Sequence, residues 1–185
     1  IFIDVDKYST AITHVEKDTF APLLSASFDI ECFGNGKFPK ADRVDNECFM
    51  IATTVNHVGS KDILYTHCVT LGSYKIQEDE NLEHFVKNAE IIQCETEDEL
   101  LLEWAKFIRK LNPDIVTGYN IFGFDMPYLF TRASEIHGIR EEYCNLLSRV
   151  NGWQSNLEKK ELRSSALGQN FLYMQYMPGI VLMDA

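Results

Sequence analysis

Residues 26–32 alternate in character. Ala26, Phe28, Ile30 and Cys32 fall on one face of an extended chain, while Ser27, Asp29 and Glu31 fall on the other, because successive side chains of a strand point to opposite sides. This predicts the first strand. A connection containing Gly, Asn and Pro follows over 34–46, then a run rich in β-branched and aromatic residues over 49–58, a break at Gly59-Ser60, and a second such run over 63–71. Two strands joined by a short turn suit that spacing, so the first three strands are expected to form an antiparallel meander. A shorter fourth strand is expected over 91–94.

The period then changes. Leu100, Leu101, Trp104, Phe107, Ile108 and Leu111 recur at the three-and-four spacing of one buried helical face, with charged residues between them. Thr96 followed by Glu99 has the form of a capping box at the start of this helix, and Asn112-Pro113 ends it. Residues 114–118 read as a short buried strand. A second helix is expected over 126–137, with Pro127 in its first turn and Gly138 as its stop. The apolar run 179–183 reads as a last strand. Residues 139–178 follow no clear period, although 171–177 suit one arm of a hairpin. Strands followed by alternating helix and strand predict an α/β fold, a mixed β-sheet with flanking helices.

Composition narrows the class. The chain has 185 residues, 45% hydrophobic and 24% charged, an ordinary globular balance with enough length for a sizeable core. No apolar stretch reaches the roughly 18 residues of a membrane span, and the start lacks the pattern of a secretory signal. The expectation is a soluble, intracellular protein. Five cysteines, Cys32, Cys48, Cys68, Cys94 and Cys144, are scattered without a C-x-x-C pair, which argues against a disulfide framework or a zinc site. His14, His57, His67, His84 and His137 also lack metal-ligand spacing. The chain opens at Ile1 without methionine and stops soon after an apolar run, so it is expected to be a piece of something larger. Residues 1–24 are read as the edge of a preceding N-terminal domain, and 25–185 as the main domain.

A net charge of −11 weighs against tight nucleic-acid binding by this piece alone. It leaves open a site that holds a few nucleotides through metal ions while another domain supplies a cationic groove.

Asp29 and Glu31 carry the first chemical signal. On a strand they stand side by side, roughly 7 Å apart at a rise of about 3.3 Å per residue. Two carboxylates so close repel, and either one takes a proton or a cation sits between them. The pair is therefore either a solvated strand face or half of a divalent-metal site. Asp125, between the strand 114–118 and the second helix, has two readings as well. It is a helix-capping carboxylate near the positive end of the helix dipole, or a third metal ligand facing Asp29 and Glu31. Ligand sites of open α/β sheets lie beyond the carboxyl ends of strands, where the loop 119–125 sits.

Taken together, the two motifs resemble a known family. Phe28-Asp29-Ile30-Glu31, followed by Tyr119-Asn120-Ile121-Phe122-Gly123-Phe124-Asp125, is similar to the first and second exonuclease motifs of family B DNA polymerases. The resemblance extends through Cys32, Lys37-Phe38-Pro39, residues 113–118 and Pro127-Tyr128-Leu129. It is nearest to the delta-like replicative enzymes of eukaryotes and large DNA viruses. It covers 25–138 well, and more loosely Ser164-Ser165 and the strand ending at Asp184.

That resemblance implies a ribonuclease H-like exonuclease fold. It also implies a two-metal site for Mg²⁺ or Mn²⁺, in which Asp29 bridges both ions, Glu31 binds one of them, and Asp125 completes the second site. Asn120 and Phe124 match positions that hold a single-stranded primer end, and Phe38 matches a phenylalanine packed against its bases. The implied reaction is proofreading, the 3′ to 5′ hydrolysis of single-stranded DNA ends. The implied partners are the 3′ end itself, the palm and N-terminal domains of a parent polymerase and, through the parent, a sliding clamp, at a nuclear or viral replication site with no membrane. The family's third motif, Tyr-x-x-x-Asp, does not occur in the sequence. The domain is therefore expected to be truncated before it, and weakly active or inactive as it stands. Asp184 is a substitute in position only, since its neighbours resemble a structural strand and turn. Two other readings stay open, a catalytically silent exonuclease-like scaffold and a non-enzymatic calcium or magnesium module. The latter lacks a D-x-D-x-D-G loop.

Overall fold

Alternation builds the centre of the sheet. In a computed structural model that describes residue 16 and residues 21–73, 89–164 and 168–185, strand β1 (Leu24–Cys32) pairs antiparallel with β2 (Cys48–His57), and β2 pairs with β3 (Ile63–Leu71). This is the expected meander. Strand β4 (Ala89–Cys94) adds in parallel to β3. On the other side β5 (Ile115–Gly118) lies parallel to β1, and β8 (Val181–Asp184) parallel to β5. The order β4-β3-β2-β1-β5-β8 puts β1, which bears the two carboxylates, inside the sheet.

Helix α1 (Glu97–Leu111) covers one face of that sheet. Its predicted apolar side is buried: Leu100, Leu101, Trp104 and Ile108 are inaccessible to solvent. Trp104 packs against Phe28 of β1 with ring centroids 4.9 Å apart, and its Nε1–H donates to Thr53 Oγ1 of β2 at 3.2 Å. A buried indole N–H needs such a partner. The capping box forms only in part. Thr96 is the N-cap but makes no cap bond, and Glu99 reaches past it to the N–H of Glu95 at 3.0 Å. At the other end Asn112 takes a left-handed φ of 52° and returns its N–H to Ile108, so the helix stops where the sequence says it should.

The second helix departs from expectation. It is α-helical only over α2 (Asp125–Thr131) and continues as a π turn over Arg132–Ile136, closed by His137 N–H to Arg132 O at 3.0 Å. A short helix α3 (Arg140–Leu146) follows, and a separate hairpin pairs β6 (Asn156–Ser164) with β7 (Gly168–Tyr176). Residues 171–177 do supply most of a hairpin arm, as expected, but the partner arm is the charged stretch that showed no period. The expected N-terminal domain edge falls almost wholly outside the described residues. Among those residues all five cysteines are free, and no helix is long and apolar enough to cross a membrane.

Candidate active site

Parallel pairing of β1 with β5 stops at Ser27 and Thr117, so Asp29 and Glu31 project beyond the carboxyl end of β5. The chain leaves β5 at Gly118, and only glycine fits there: a Cβ would lie 2.5 Å from the Phe28 carbonyl oxygen and 2.6 Å from Ile121 Cγ2. The loop then turns back on itself through Asn120. That residue sits at a left-handed φ of 56°, and its carbonyl oxygen accepts the N–H groups of Gly123 and Phe124, both at 3.0 Å. Asparagine tolerates this conformation better than most residues. Gly123 lies under the Asn120 side chain, where a Cβ would meet Oδ1 at 2.2 Å. The turn delivers Asp125 to the first position of α2, next to the exposed edge of β1.

Asp125 is 2% exposed, and its Oδ1 has no hydrogen-bond partner among the described residues. Burial pushes its carboxyl up to about 6, the negative charges of Asp29 and Asp184 push the same way, and the main-chain N–H groups of Asp125 and Ile30 oppose them. Asp29 and Glu31 are exposed on the opposite face of β1 from the core. The structure thus brings Asp29 and Asp125 within electrostatic reach. Glu31 shares the exposed strand face with Asp29. Among the described residues, no three of His, Cys, Asp and Glu are gathered closely enough to hold a metal ion. In kind the donors nevertheless suit a hard divalent cation, being carboxylate oxygens, one of them buried and unsatisfied.

The aromatic positions converge as well. Phe38, 76% exposed, meets Phe124 edge-on at 5.2 Å, and Phe124 packs on Tyr128 at 5.1 Å. With Pro127 and Phe130 they line an open cleft of about 490 Å³, to which Leu157 and Tyr173 of the hairpin also contribute. Nothing local in the sequence of 156–176 announces this contact of the hairpin with the cleft.

Two further features complete the surroundings of the site. Asp184 ends β8 opposite Gly118 and accepts the Ile121 N–H at 2.9 Å, which pins the loop that carries Asn120 and Phe124. That is a structural role, as its neighbours suggested, yet it also places a charge near Asp125. The second feature is a buried ion pair. Glu97 at the start of α1 accepts from two of the three guanidinium nitrogens of Arg132, Nε and Nη2, and from the N–H of Cys48 at 2.7 Å, and it pairs with His137 Nε2 at 2.6 Å. The remaining arm of Arg132 donates to the carbonyls of Ala41 and Arg43. Tyr128 adds a bond from its hydroxyl to Asn46 O at 2.6 Å. The loop bearing Phe38 is therefore fastened to the helix bearing Asp125.

A mixed sheet whose inner strand and adjoining helix present carboxylates at one edge, with helices on its flank, is the ribonuclease H-like exonuclease architecture. The chain belongs to the exonuclease domain of the family B DNA polymerases, whose sequence profile matches residues 2–185. It is similar to a DNA polymerase of Pyramimonas orientalis virus, with 38% identity over 134 residues, covering 72% of this chain and 10% of the relative. It is also similar to DNA polymerase delta catalytic subunits. The one from Caenorhabditis elegans is 40% identical over 61% of the chain and 10% of the relative, and the one from Bos taurus 33% identical over 96% of the chain and 15% of the relative. The chain thus spans a small fraction of the length of these relatives.

Proposed function

We propose that the chain is the proofreading 3′ to 5′ exonuclease domain of a replicative, delta-like family B DNA polymerase, acting on single-stranded DNA ends. The observation that carries this reading is the buried Asp125 carboxyl, whose Oδ1 has no hydrogen-bond partner among the described residues. It lies within electrostatic reach of Asp29 and next in sequence to Phe124, which pairs with Phe38 at the border of an open cleft. Asp29, Glu31 and Asp125 would hold two Mg²⁺ or Mn²⁺ ions. Bound ions of this kind activate a water, clamp the scissile phosphate and stabilise the departing 3′ oxygen. The chain's own groups do the rest. Phe38 and Phe124 stack on the terminal bases, which makes binding tolerant of sequence. Asn120 shapes the turn that aims Phe124 and Asp125, and the carboxyl of Asp125 must lose its proton before it can bind a cation.

The parent's palm and N-terminal domains are proposed neighbours, a sliding clamp a proposed partner through the parent, and a nuclear or viral replication site the proposed location. With no Tyr-x-x-x-Asp in its sequence, the chain by itself should bind Mn²⁺ weakly and hydrolyse little. One observation favours the silent scaffold instead, namely that the described carboxylates do not close into a metal-binding group.

Titration of Mn²⁺ against a 5′-labelled single strand separates the two. A nuclease site couples metal binding to a free 3′ end, so Mn²⁺ should tighten a linear oligonucleotide and not a circular one, and Asp29→Ala should abolish the difference. Equal behaviour of linear and circular strands would leave the scaffold. Rapid degradation by the chain, lost in Asp29→Ala, would overturn the expectation of weak activity.

A further inference from the structure

Beside the aromatic cleft, on the other side of Phe38, lies a second concavity of about 220 Å³ lined by Asn35, Lys37, Phe38, Lys40, Arg43 and Asn46. Phe38 borders both spaces. Three cations around one small cup stand out in a chain with 28 acidic and 17 basic residues. Their partners differ. Arg43 is committed to Asp45 through two bonds of 2.9 Å, and Asn35 donates to the same carboxylate at 3.0 Å. Lys37 and Lys40 are exposed, and neither forms an ion pair among the described residues.

The cup is held in shape before anything binds. The turn at its rim needs Gly34, where a Cβ would lie 2.0 Å from the Lys37 carbonyl oxygen, and Lys37 N–H closes that turn onto Gly34 O at 2.8 Å. Lys40 N–H donates to the buried Asn46 side chain at 2.9 Å, Arg43 N–H to Lys40 O, and Asn46 N–H to Arg43 O. The carbonyls of Arg43 and Asn46 are in turn gripped by Arg132 and Tyr128. The backbone from which Lys37 and Lys40 project is thus fixed at several points, so a ligand need order the two lysine side chains but not the loop.

We infer that this cup binds a backbone phosphate of the single strand, on the 5′ side of the nucleotide stacked on Phe38. This rests on the proposed function and deepens it, adding an electrostatic subsite to a stacking one. The strand's terminal phosphodiester belongs with Asp29 and Asp125, next to Phe124. A strand passing over Phe38 then meets Lys37 and Lys40 as its next fixed charges. The arrangement also answers how a chain of net charge −11 holds a polyanion: cation is concentrated where the strand crosses.

The test uses the whole chain, Mn²⁺ and a 5′-labelled oligothymidylate followed by fluorescence anisotropy. Lys37→Gln/Lys40→Gln should weaken binding by roughly five- to tenfold at low salt and lower the slope of log affinity against log salt by about 0.7, the loss of one single-strand phosphate contact. A methylphosphonate at one internal linkage should weaken the unaltered chain by a similar factor and the double variant not at all. Unchanged affinity and slope in the double variant would overturn the inference. So would a neutral-linkage scan in which every position matters equally, because that is diffuse attraction rather than a site. Phe38→Ala distinguishes the levels. If it weakens binding while the lysine variant does not, the cup alone is wrong. If the unaltered chain shows no dependence on a 3′ end, the proposed function falls and the cup with it.

Discussion

At Asp125, burial and two neighbouring negative charges act in the same direction. Burial is the larger effect, Asp29 and Asp184 add to it, and together they lift the carboxyl from an ordinary 3.8 to about 6. A carboxyl raised in the fold binds its proton more tightly there than in the unfolded chain. Between about pH 4 and 6 the folded state therefore carries the extra proton, and stability rises as pH falls through that window. Above it, the ionised carboxylate is a standing cost of at most about 3 kcal/mol. Asp125→Asn should remove that cost. Urea unfolding of the metal-free variant at pH 7.5 should show it more stable than the parent by roughly 1 to 3 kcal/mol, with the dependence between pH 4 and 6 flattened. A variant less stable at pH 7.5 would mean that the carboxylate is satisfied in the fold. Mn²⁺ competes with the same proton, so its affinity for the parent chain should fall as pH drops below 6.

At the level of elements, the π turn gathers two side chains of one helical segment onto a single buried carboxylate. In a regular α-helix, residues five apart lie about 140° from each other around the axis. The i to i+5 closure at Arg132 and His137 instead brings both side chains to Glu97. Arg132 and Glu97 have side chains 1% exposed, and a buried pair that loses one member leaves an uncompensated charge. Arg132→Met or Glu97→Gln should each cost about 3 to 5 kcal/mol in urea unfolding, and the double variant clearly less than the sum. Additive losses would show that the two groups do not depend on each other. Periodicity could not reveal this arrangement. The apolar spacing of 126–137 is the same whether the helix has one extra residue in a turn or not, and nothing in a single sequence says that Glu97 would meet residues 35 and 40 positions away. The meander, α1 and β5 were legible because alternation and three-four spacing are local. The hairpin was not, since its arm 156–164 carries five charged residues among nine without a clear period, and its contact with the cleft depends on other elements.

Across the whole molecule, the same division separates what was legible in the site. Asp29 and Glu31 could be paired from strand geometry, and Asp125 from its place after a strand, but the burial that sets Asp125 apart, the lock from Asp184 and the basic cup exist only once distant segments meet. Net charge acts at this largest scale too, and it yields a prediction about rates. At −11 the metal-free chain repels a nucleic-acid strand over distances comparable with the Debye length, about 10 Å at 0.1 M salt and about 30 Å at 0.01 M. Encounter precedes any contact with Lys37 or Lys40, so repulsion governs the association rate even where local contacts are attractive. Raising salt from about 10 to about 150 mM should therefore speed association of a fluorescent oligothymidylate with the metal-free chain by roughly two- to fivefold in stopped flow. With Mn²⁺ bound among Asp29, Glu31 and Asp125, the face met by the strand gains positive charge, and the salt effect should shrink or change sign. A metal-free association rate that falls with salt would mean that the cup outweighs the global charge even at long range. A salt effect indifferent to Mn²⁺ in the unaltered chain would place any bound metal away from the strand's path.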